Sequence, residues 1–329
     1  EGEPQLKREL IKLAEKDGLT INEDNILITV SSQQGLDLIG KVFIDPSDPV
    51  IVELPSYVGG LQVFQGYGAH MHGIPTDHDG ILVDVLEETL EQLKGTEEHY
   101  KFIYLVPDFQ NPAGVTLSLE RRKKVIELSK KYDVLIIEDT PYRELRFEGQ
   151  SPPSLMSLDD TNNVVMLHTF SKIFVPGFRL GWVIAHTDII RKLAFAKQSV
   201  DLCTPAFTQL ITYEYCRRGL LEKHIEQVKS VYHKKRDVML RALEEYMPKE
   251  VRWTRPQGGL FLWIMLPEHI NCDKLFYEAV EQNVAFVIGS AFHCDGRGQN
   301  TMRLNFSYPT HEEIYEGIKR LAKVIKAKL

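Results

Sequence analysis

Val134-Leu135-Ile136-Ile137-Glu138-Asp139-Thr140-Pro141-Tyr142 is the stretch that decides the fold. Its apolar residues follow one another without alternation, as in a strand covered on both faces, and it then ends in two carboxylates and a turn. Such a strand belongs to a mostly parallel sheet held between two helical layers. Working outward, the same pattern repeats. Upstream, Ile26 to Val30, Val50 to Leu54, His70 to Ile74 and Lys101 to Val106 read as strands; downstream, Val164 to His168 and Trp182 to Ala185 do. Helical spacing fills the gaps: Leu6, Leu10, Leu13 and Ala14 after Pro4, then Leu36, Ile39 and Phe43, then Tyr57 to Gln65, Val83 to Leu93, and Arg121 to Tyr132 with Ser118 as its cap. The expected fold class is α/β, a three-layer αβα large domain around a mostly parallel sheet.

The pattern changes after about residue 187. Helical periodicity dominates from Asp188 to Tyr246, with Pro205 near one helix start and Gly219 as a break. Strands are expected at Leu260 to Leu266, Ala285 to Ile288 and Met302 to Phe306, with a helix at Lys274 to Glu281. Thr310 and Glu313 stand in capping-box positions before a last helix. This predicts a smaller α+β C-terminal domain, and the expected division is 1–235 and 236–329.

Composition narrows the function. Lys plus Arg is 39 and Asp plus Glu 46 in 329 residues, a net charge of −7. A binder of nucleic-acid phosphates needs a basic face, so none is expected here. The longest apolar run, Leu260 to Leu266, is far short of the roughly 18 residues a membrane span needs. Cys203, Cys216, Cys272 and Cys294 make no CxxC pair and are expected as thiols in a reducing, cytoplasmic setting. His70, His72 and His78, or His293 with Cys294 and Asp295, complete no zinc pattern, so no metal is expected. No GxGxxG opens a helix after a strand.

In an open parallel sheet, ligands sit beyond the carboxyl ends of the strands. Five of those ends carry polar groups: Ser31-Ser32-Gln33; Pro55-Ser56-Tyr57; Asp108 to Gly114 with Asn111; Glu138-Asp139-Thr140-Pro141-Tyr142; and Thr169-Phe170-Ser171-Lys172, followed by Gly177-Phe178-Arg179. Ser32 and Gln33 start a helix, where exposed N–H groups favour an anion such as a phosphate, although an ordinary helix cap looks the same in isolation. Arg179 offers a guanidinium fork to that anion. Asp139 at a buried strand end needs a partner, for which a protonated ring nitrogen or a salt bridge would serve equally. Lys172 could form a Schiff base if its surroundings lower its pKa, whereas most lysines are simply solvated.

Taken together, in this order along the chain, these segments resemble the pyridoxal-phosphate-dependent aminotransferases of fold type I, class I/II, in particular the 2-aminoadipate, kynurenine and broad-specificity subgroup. The matching stretches are Ser31-Ser32-Gln33-Gln34-Gly35-Leu36-Asp37, Glu53-Leu54-Pro55-Ser56-Tyr57, Gln110-Asn111-Pro112-Ala113-Gly114, Glu138 to Tyr142, Thr169 to Lys172, Pro176-Gly177-Phe178-Arg179-Leu180-Gly181-Trp182, Pro256-Gln257-Gly258-Gly259, and Met302-Arg303-Leu304-Asn305-Phe306. The resemblance implies pyridoxal 5'-phosphate as cofactor, amino-acid and 2-oxo-acid substrates with 2-oxoglutarate as acceptor, a ping-pong cycle and a homodimer. It implies that Lys172 carries the cofactor and moves the proton at the substrate α-carbon. Asp139 would pair with the ring nitrogen and Tyr57 stack on the ring. Asn111 and Tyr142 would bond the phenolic oxygen. Ser32, Gln33, Thr169, Ser171 and Arg179 would bind the phosphate. Arg303, with Asn111, would grip the substrate carboxylate.

The chain opens on Glu1-Gly2-Glu3-Pro4 and goes straight into helix. In the family about seventy or eighty residues precede this point, so an N-terminal segment that covers the pocket is expected to be missing from the sequence. Two other functions remain open at this point: a pyridoxal-phosphate-dependent lyase, using the same Lys and Asp, and the effector-sensing domain of a transcription regulator.

Overall fold

The computed structural model describes residues 1–96 and 98–329. Its strands form two sheets. The larger contains β1 (Ile26–Thr29), β2 (Pro49–Leu54), β3 (His70–Asp77), β4 (Gly80–Ile81), β5 (Phe102–Leu105), β6 (Leu135–Asp139), β7 (Val164–Thr169) and β8 (Gly181–Ile184), ordered β1-β8-β7-β6-β5-β2-β3-β4. Strands β7, β6, β5, β2 and β3 are parallel. Strand β8 is antiparallel to both β1 and β7, so its first residue lies at the edge where those strands end. That edge collects the loops that carry the candidate residues.

Side chains alternate across the sheet and enter two separate cores, which is why the strands read as unbroken apolar runs. One face carries Val52, Tyr104 and Ile137 and packs on Leu6 of α1 (Pro4–Lys16), Leu36 of α2 (Ser31–Phe43) and Phe64 of α3 (Val58–Gly66). The other carries Ile51, Ile103 and Ile136 beneath Leu86 of α4 (Val83–Glu91), Val125 of α5 (Leu119–Tyr132) and Leu155 of the short α6 (Leu155–Leu158). Parity puts Asp139 on the face of Ile137 and Glu138 on the face of Ile136. The two consecutive carboxylates therefore point to opposite sides of the sheet.

The long helical stretch is three helices, α7 (Thr187–Gln198), α8 (Ala206–Arg217) and α9 (Leu220–Tyr246). Pro205 caps the second and Gly219 the third, as their backbone preferences predict. Helix α9 links the two cores: Leu221 belongs to the large one, whereas Met239, Ala242 and Leu243 pack in the small one. The smaller sheet is antiparallel, in the order β11-β12-β10-β9, built from β9 (Arg252–Trp253), β10 (Phe261–Met265), β11 (Val287–Ile288) and β12 (Thr301–Asn305). It is covered by α10 (Cys272–Glu281), α11 (His311–Lys326) and the end of α9. The capping box is formed: the Thr310 hydroxyl accepts from the Glu313 N–H, and the Glu313 carboxylate accepts from the Thr310 N–H at 2.7 Å. Ser118 caps α5.

The architecture is the expected α/β class, with differences of detail. Strand β3 continues past Ile74 to Asp77 and turns back as β4, a hairpin that the polar sequence around His78 did not suggest. Strand β11 keeps only the last two residues of its expected run. Strand β9 is too short to leave a periodic signature.

Candidate active site

Helix α2 starts within two residues of β1. Ser31 takes the left-handed conformation (φ 65°), and the turn rests directly on the first residue of β8. A Cβ on Gly181 would lie 2.6 Å from the Ser31 carbonyl carbon, so only glycine lets the backbones meet. The N–H groups of Ser32 and Gln33 thus open at the positive end of a helix, above the sheet edge. From across the cleft come Thr169, which caps the turn at Phe170–Lys172, and Ser171, whose hydroxyl accepts from the Thr169 hydroxyl at 2.9 Å. The exposed Arg179 guanidinium reaches the same Ser171 hydroxyl at 3.4 Å. The Gln33 side chain is already engaged: it donates to the Gly59 carbonyl at 2.9 Å and accepts from the Tyr57 hydroxyl at 3.1 Å. What Gln33 offers an anion is its backbone N–H, while its amide fixes Tyr57.

Beneath this lies Asp139, 2% exposed at the end of β6. Its Oδ2 accepts from the Tyr104 hydroxyl at 2.9 Å, and its Oδ1 is buried with no partner among the described residues. Burial pushes this carboxyl up to about 7, with the Tyr104 hydrogen bond and the charge of Lys172 acting against the rise. Lys172, half-buried at the turn after β7, is displaced the other way. Desolvation lowers its pKa, the Arg179 and Arg303 guanidinia lower it further, and Asp139 opposes them.

Asn111 and Tyr142 project from the loops after β5 and β6 and meet at 3.4 Å, Asn111 Nδ2 donating to the tyrosine oxygen. Arg303 enters from β12 of the small domain. One of its terminal nitrogens donates to Asn111 Oδ1 at 2.7 Å, which ties the smaller sheet to the loop after β5. Its guanidinium lies 4.0 Å above the Phe261 ring and 5.2 Å from that of Phe292, and its Nε is buried without a partner among the described residues.

These groups line one cavity of about 450 Å³. A larger one, about 650 Å³, lies between Thr76–Asp79, Thr116 and the small-domain residues Trp253 and Trp263. There, however, the charged groups are spent on one another and on their neighbours: Asp77 is held by both terminal nitrogens of Arg121, and all three Arg146 guanidinium nitrogens donate hydrogen bonds. The larger cavity leaves only the Trp253 indole N–H without a partner among the described residues, whereas the smaller one brings together two unpartnered charged groups, Asp139 Oδ1 and Arg303 Nε, and that marks it as the ligand site. The orphans fit pyridoxal phosphate: Asp139 Oδ1 suits a protonated ring nitrogen, and the helix start with Ser171, Thr169 and Arg179 suits a phosphate. Arg303 Nε suits the carboxylate of an amino acid. Of the histidines singled out in the sequence, His70 and His72 lie with their rings 4.7 Å apart and tilted by 54°, and the Tyr100 hydroxyl meets His72. The metal-capable trio among the described residues, Glu148, His233 and Asp237, is already spanned by the Arg236 guanidinium.

Three contributors escaped the sequence reading. Phe261 and Phe292 both lie against the Arg303 guanidinium, but Phe261 sits in an ordinary apolar strand and Phe292 in a short turn with no pattern of its own. Tyr104 had one usable signal: a hydroxyl inside the otherwise apolar Phe102–Leu105, on the strand next to Asp139 and, by parity, on the same face.

A lysine and an aspartate at adjacent strand ends, a helix start for phosphate and an arginine from a second domain define an enzyme of amino-acid chemistry built on an aldehyde cofactor. The family model "Aminotransferase class I and II" matches residues 1–321, and the chain belongs to that family of pyridoxal-phosphate-dependent enzymes. It is 47% identical to an aromatic-amino-acid aminotransferase of Thermococcus litoralis, over 96% of this chain and 76% of the relative. It is similar to the kynurenine aminotransferase of Pyrococcus horikoshii, with a TM-score of 0.96 at 47% identity over 100% of this chain and 81% of that one. It is also similar to the α-aminoadipate aminotransferase of Thermus thermophilus complexed with N-(5'-phosphopyridoxyl)-L-leucine, with a TM-score of 0.93 at 38% identity, covering 99% and 82%. Helix-turn-helix transcriptional regulators match at lower identity, 30% for one of Bacillus subtilis over 99% of this chain and 66% of the regulator. The chain is an aminotransferase. No described helix is long and apolar enough to cross a membrane.

Proposed function

We propose that this aminotransferase takes its amino group from L-amino acids with aromatic or extended acidic side chains, with 2-oxoglutarate as acceptor, working as a cytoplasmic homodimer. The reading of the site rests on one observation above all: the two orphaned atoms, Asp139 Oδ1 and Arg303 Nε, face the same cavity as Lys172. The similarity to aromatic-amino-acid, kynurenine and α-aminoadipate aminotransferases supports the substrate class. The homodimer is supported by a run of apolar side chains left exposed between residues 195 and 210, Phe195, Val200, Leu202, Phe207 and Leu210. The division at 235/236 is our proposed domain boundary, within the helix that passes from one core to the other.

Pyridoxal phosphate, when bound, supplies an aldehyde for the substrate amine and a ring that withdraws the electrons left at the α-carbon. The protein does the rest. Ser32 and Gln33 N–H groups, Thr169, Ser171 and Arg179 anchor the phosphate. Asp139 Oδ1 keeps a proton on the ring nitrogen, and Tyr57 holds a ring face while its own hydroxyl is fixed by Gln33. Asn111 and Tyr142 bond the phenolic oxygen. Arg303 would grip the substrate carboxylate with the fork that Asn111 orients, holding the substrate in the cavity that Lys172 also lines. Lys172 Nζ, unprotonated more readily than an ordinary lysine, would hold the cofactor's aldehyde and would serve as the base for the α-proton.

Borohydride reduction of the yellow holoenzyme followed by peptide mapping is expected to place the reduced cofactor on Lys172, and label on another lysine overturns the assignment. A half-reaction screen with single amino acids is expected to convert the cofactor to its amine form with tyrosine, phenylalanine, kynurenine and 2-aminoadipate. Release of ammonia without that conversion would identify a lyase instead.

A further inference from the structure

Tyr104 is 0% exposed, in the middle of β5. Its hydroxyl donates to Asp139 Oδ2 at 2.9 Å. The parallel register sets it beside Ile137, on the face from which Asp139 projects two residues later. The ring is boxed in. Phe64 meets it edge-on at 5.3 Å, and α3 passes so close that a Cβ on Gly60 would lie 2.9 Å from the ring and 3.2 Å from its hydroxyl oxygen. The tyrosine has one place to put its hydroxyl, and that place is the cofactor-side carboxylate. The adjacent Gly59 does the same for Tyr57, whose ring would meet a Cβ there at 2.6 Å. The glycine pair thus makes room for two tyrosines, one lining the cleft and one beneath it.

We propose that Tyr104 is a positioning residue for catalysis: its hydroxyl locks Asp139 in the rotation that aims Oδ1 alone at the cofactor's ring nitrogen, and it stabilises the charged form of that carboxylate. The proposal rests on the reading of Asp139 as the partner of the ring nitrogen. In a dry site a carboxylate facing a protonated ring nitrogen can recover the proton and leave both groups neutral. A hydrogen bond donated to the second carboxylate oxygen favours the ionic arrangement, so the ring stays protonated and withdraws electrons. The other titratable groups that bear on this carboxylate are Lys172 from the turn after β7, and Tyr57 and Tyr142 from the loops after β2 and β6. Glu53 of β2 bears on Tyr104 itself.

The test uses the holoenzyme. Tyr104→Phe removes one oxygen and keeps the ring. It is expected to lower kcat by about ten- to a hundredfold, the range for one hydrogen bond to a charged group, with KM for the amino acid changed less than threefold. The visible absorption of the bound cofactor is expected to titrate at a shifted pH, and the cofactor to dissociate more readily. Asp139→Asn is measured alongside, and adding Tyr104→Phe to it is expected to shift the titration no further. A Tyr104→Phe enzyme with the wild-type titration and kcat, or one that only melts earlier, overturns the proposal while the reading of Asp139 stands. An Asp139→Asn enzyme that binds cofactor and turns over normally overturns both. If Tyr104→Phe does not fold, Gly60→Ala displaces the same ring with the hydroxyl retained. The titration is then expected to shift in the same direction by less, and an unshifted one overturns the proposal.

Discussion

Two buried aspartates, Asp108 and Asp139, lie at neighbouring strand ends and behave in opposite ways. Asp108, just past β5, is gripped by Arg122 at 2.7 Å and by Arg143 at 3.0 Å, and Arg143 continues to Asp17 at the end of α1. Burial alone would raise its pKa, but the two guanidinia overcome burial and hold it below the usual carboxylate range. Asp139, one strand over, has a single hydrogen bond, one orphaned oxygen and a carboxyl pushed up to about 7. Both are taken out of water. The first is compensated by the protein itself and is structural. The second is left with one oxygen unpartnered, as a carboxylate that is to meet a positively charged ligand would be. The difference separates a carboxylate that holds the fold from one that waits for chemistry, and it needs no information beyond the count of partners.

The comparison breaks first at Arg122. This arginine is fully buried and also donates to the Leu117 and Pro107 carbonyls. Arg122→Ala leaves Asp108 charged with only Arg143 and is expected to cost about 3–5 kcal/mol, the range for removing one partner of a buried pair. The loss is expected to be larger at pH 7 than near pH 4, because protonation of the stranded Asp108 relieves it. Denaturant midpoints at the two pH values check this, and a loss under about 1 kcal/mol at pH 7 would mean the network is not structural. Arg143 lies beside Tyr142, and Asp108 three residues before Asn111, so the network also ties together the loops that present those two side chains.

Arg303 sharpens the contrast from the ligand side. Like Asp139 it carries an orphaned atom in the cleft, and its remaining contacts are a hydrogen bond to Asn111 and two aromatic faces. Arg303→Lys keeps the charge but loses the planar fork. It is expected to lower kcat/KM for amino acids by ten- to a hundredfold, about 1.5–3 kcal/mol, while the melting temperature stays within a few degrees of wild type. A large fall in melting temperature with kcat/KM intact would instead make Arg303 a domain clasp.

How much of this could be read from the chain depends on what each residue's signal is made of. The parallel sheet was legible because burial on both faces leaves runs such as Val134–Ile137 with no alternation to confuse. Lys172, Asp139 and Arg179 were legible as motif members at strand ends. Tyr104, Phe261 and Phe292 were not, because an aromatic in an apolar stretch looks the same whether it fills a core or supports a catalytic group. The side chain of Gln33 shows the converse: its place in the motif suggested phosphate, yet its amide is spent on Tyr57 and Gly59. The Asp108 network joins residues 17, 108, 122 and 143, and only the folded chain brings them together.

The effect confined to one pH window is also the one with the unusual sign. Asp139 has a folded-state pKa of about 7 against an ordinary 3.8. Between those values the folded protein without cofactor holds a proton that the unfolded chain has released, so the stability Asp139 contributes falls as pH rises through that window. Below about pH 4 both states are protonated and the group is neutral in the balance. Above about pH 7 the folded state carries a buried charge that the Tyr104 hydrogen bond and the charge of Lys172 only partly offset. Asp139→Asn removes that charge while keeping an oxygen for the Tyr104 hydroxyl. The cofactor-free variant is therefore expected to be more stable than wild type above pH 7, by up to about 4 kcal/mol, and equal to it near pH 4. Saturating pyridoxal phosphate should reverse the order, since the ligand stabilises the form that binds it more tightly and the aspartate supplies the charge its ring nitrogen needs. Melting curves of both proteins from pH 4 to 8, with and without cofactor, check this. Parallel curves without cofactor would show that Asp139 is as well compensated as Asp108, and the distinction between the two carboxylates would collapse.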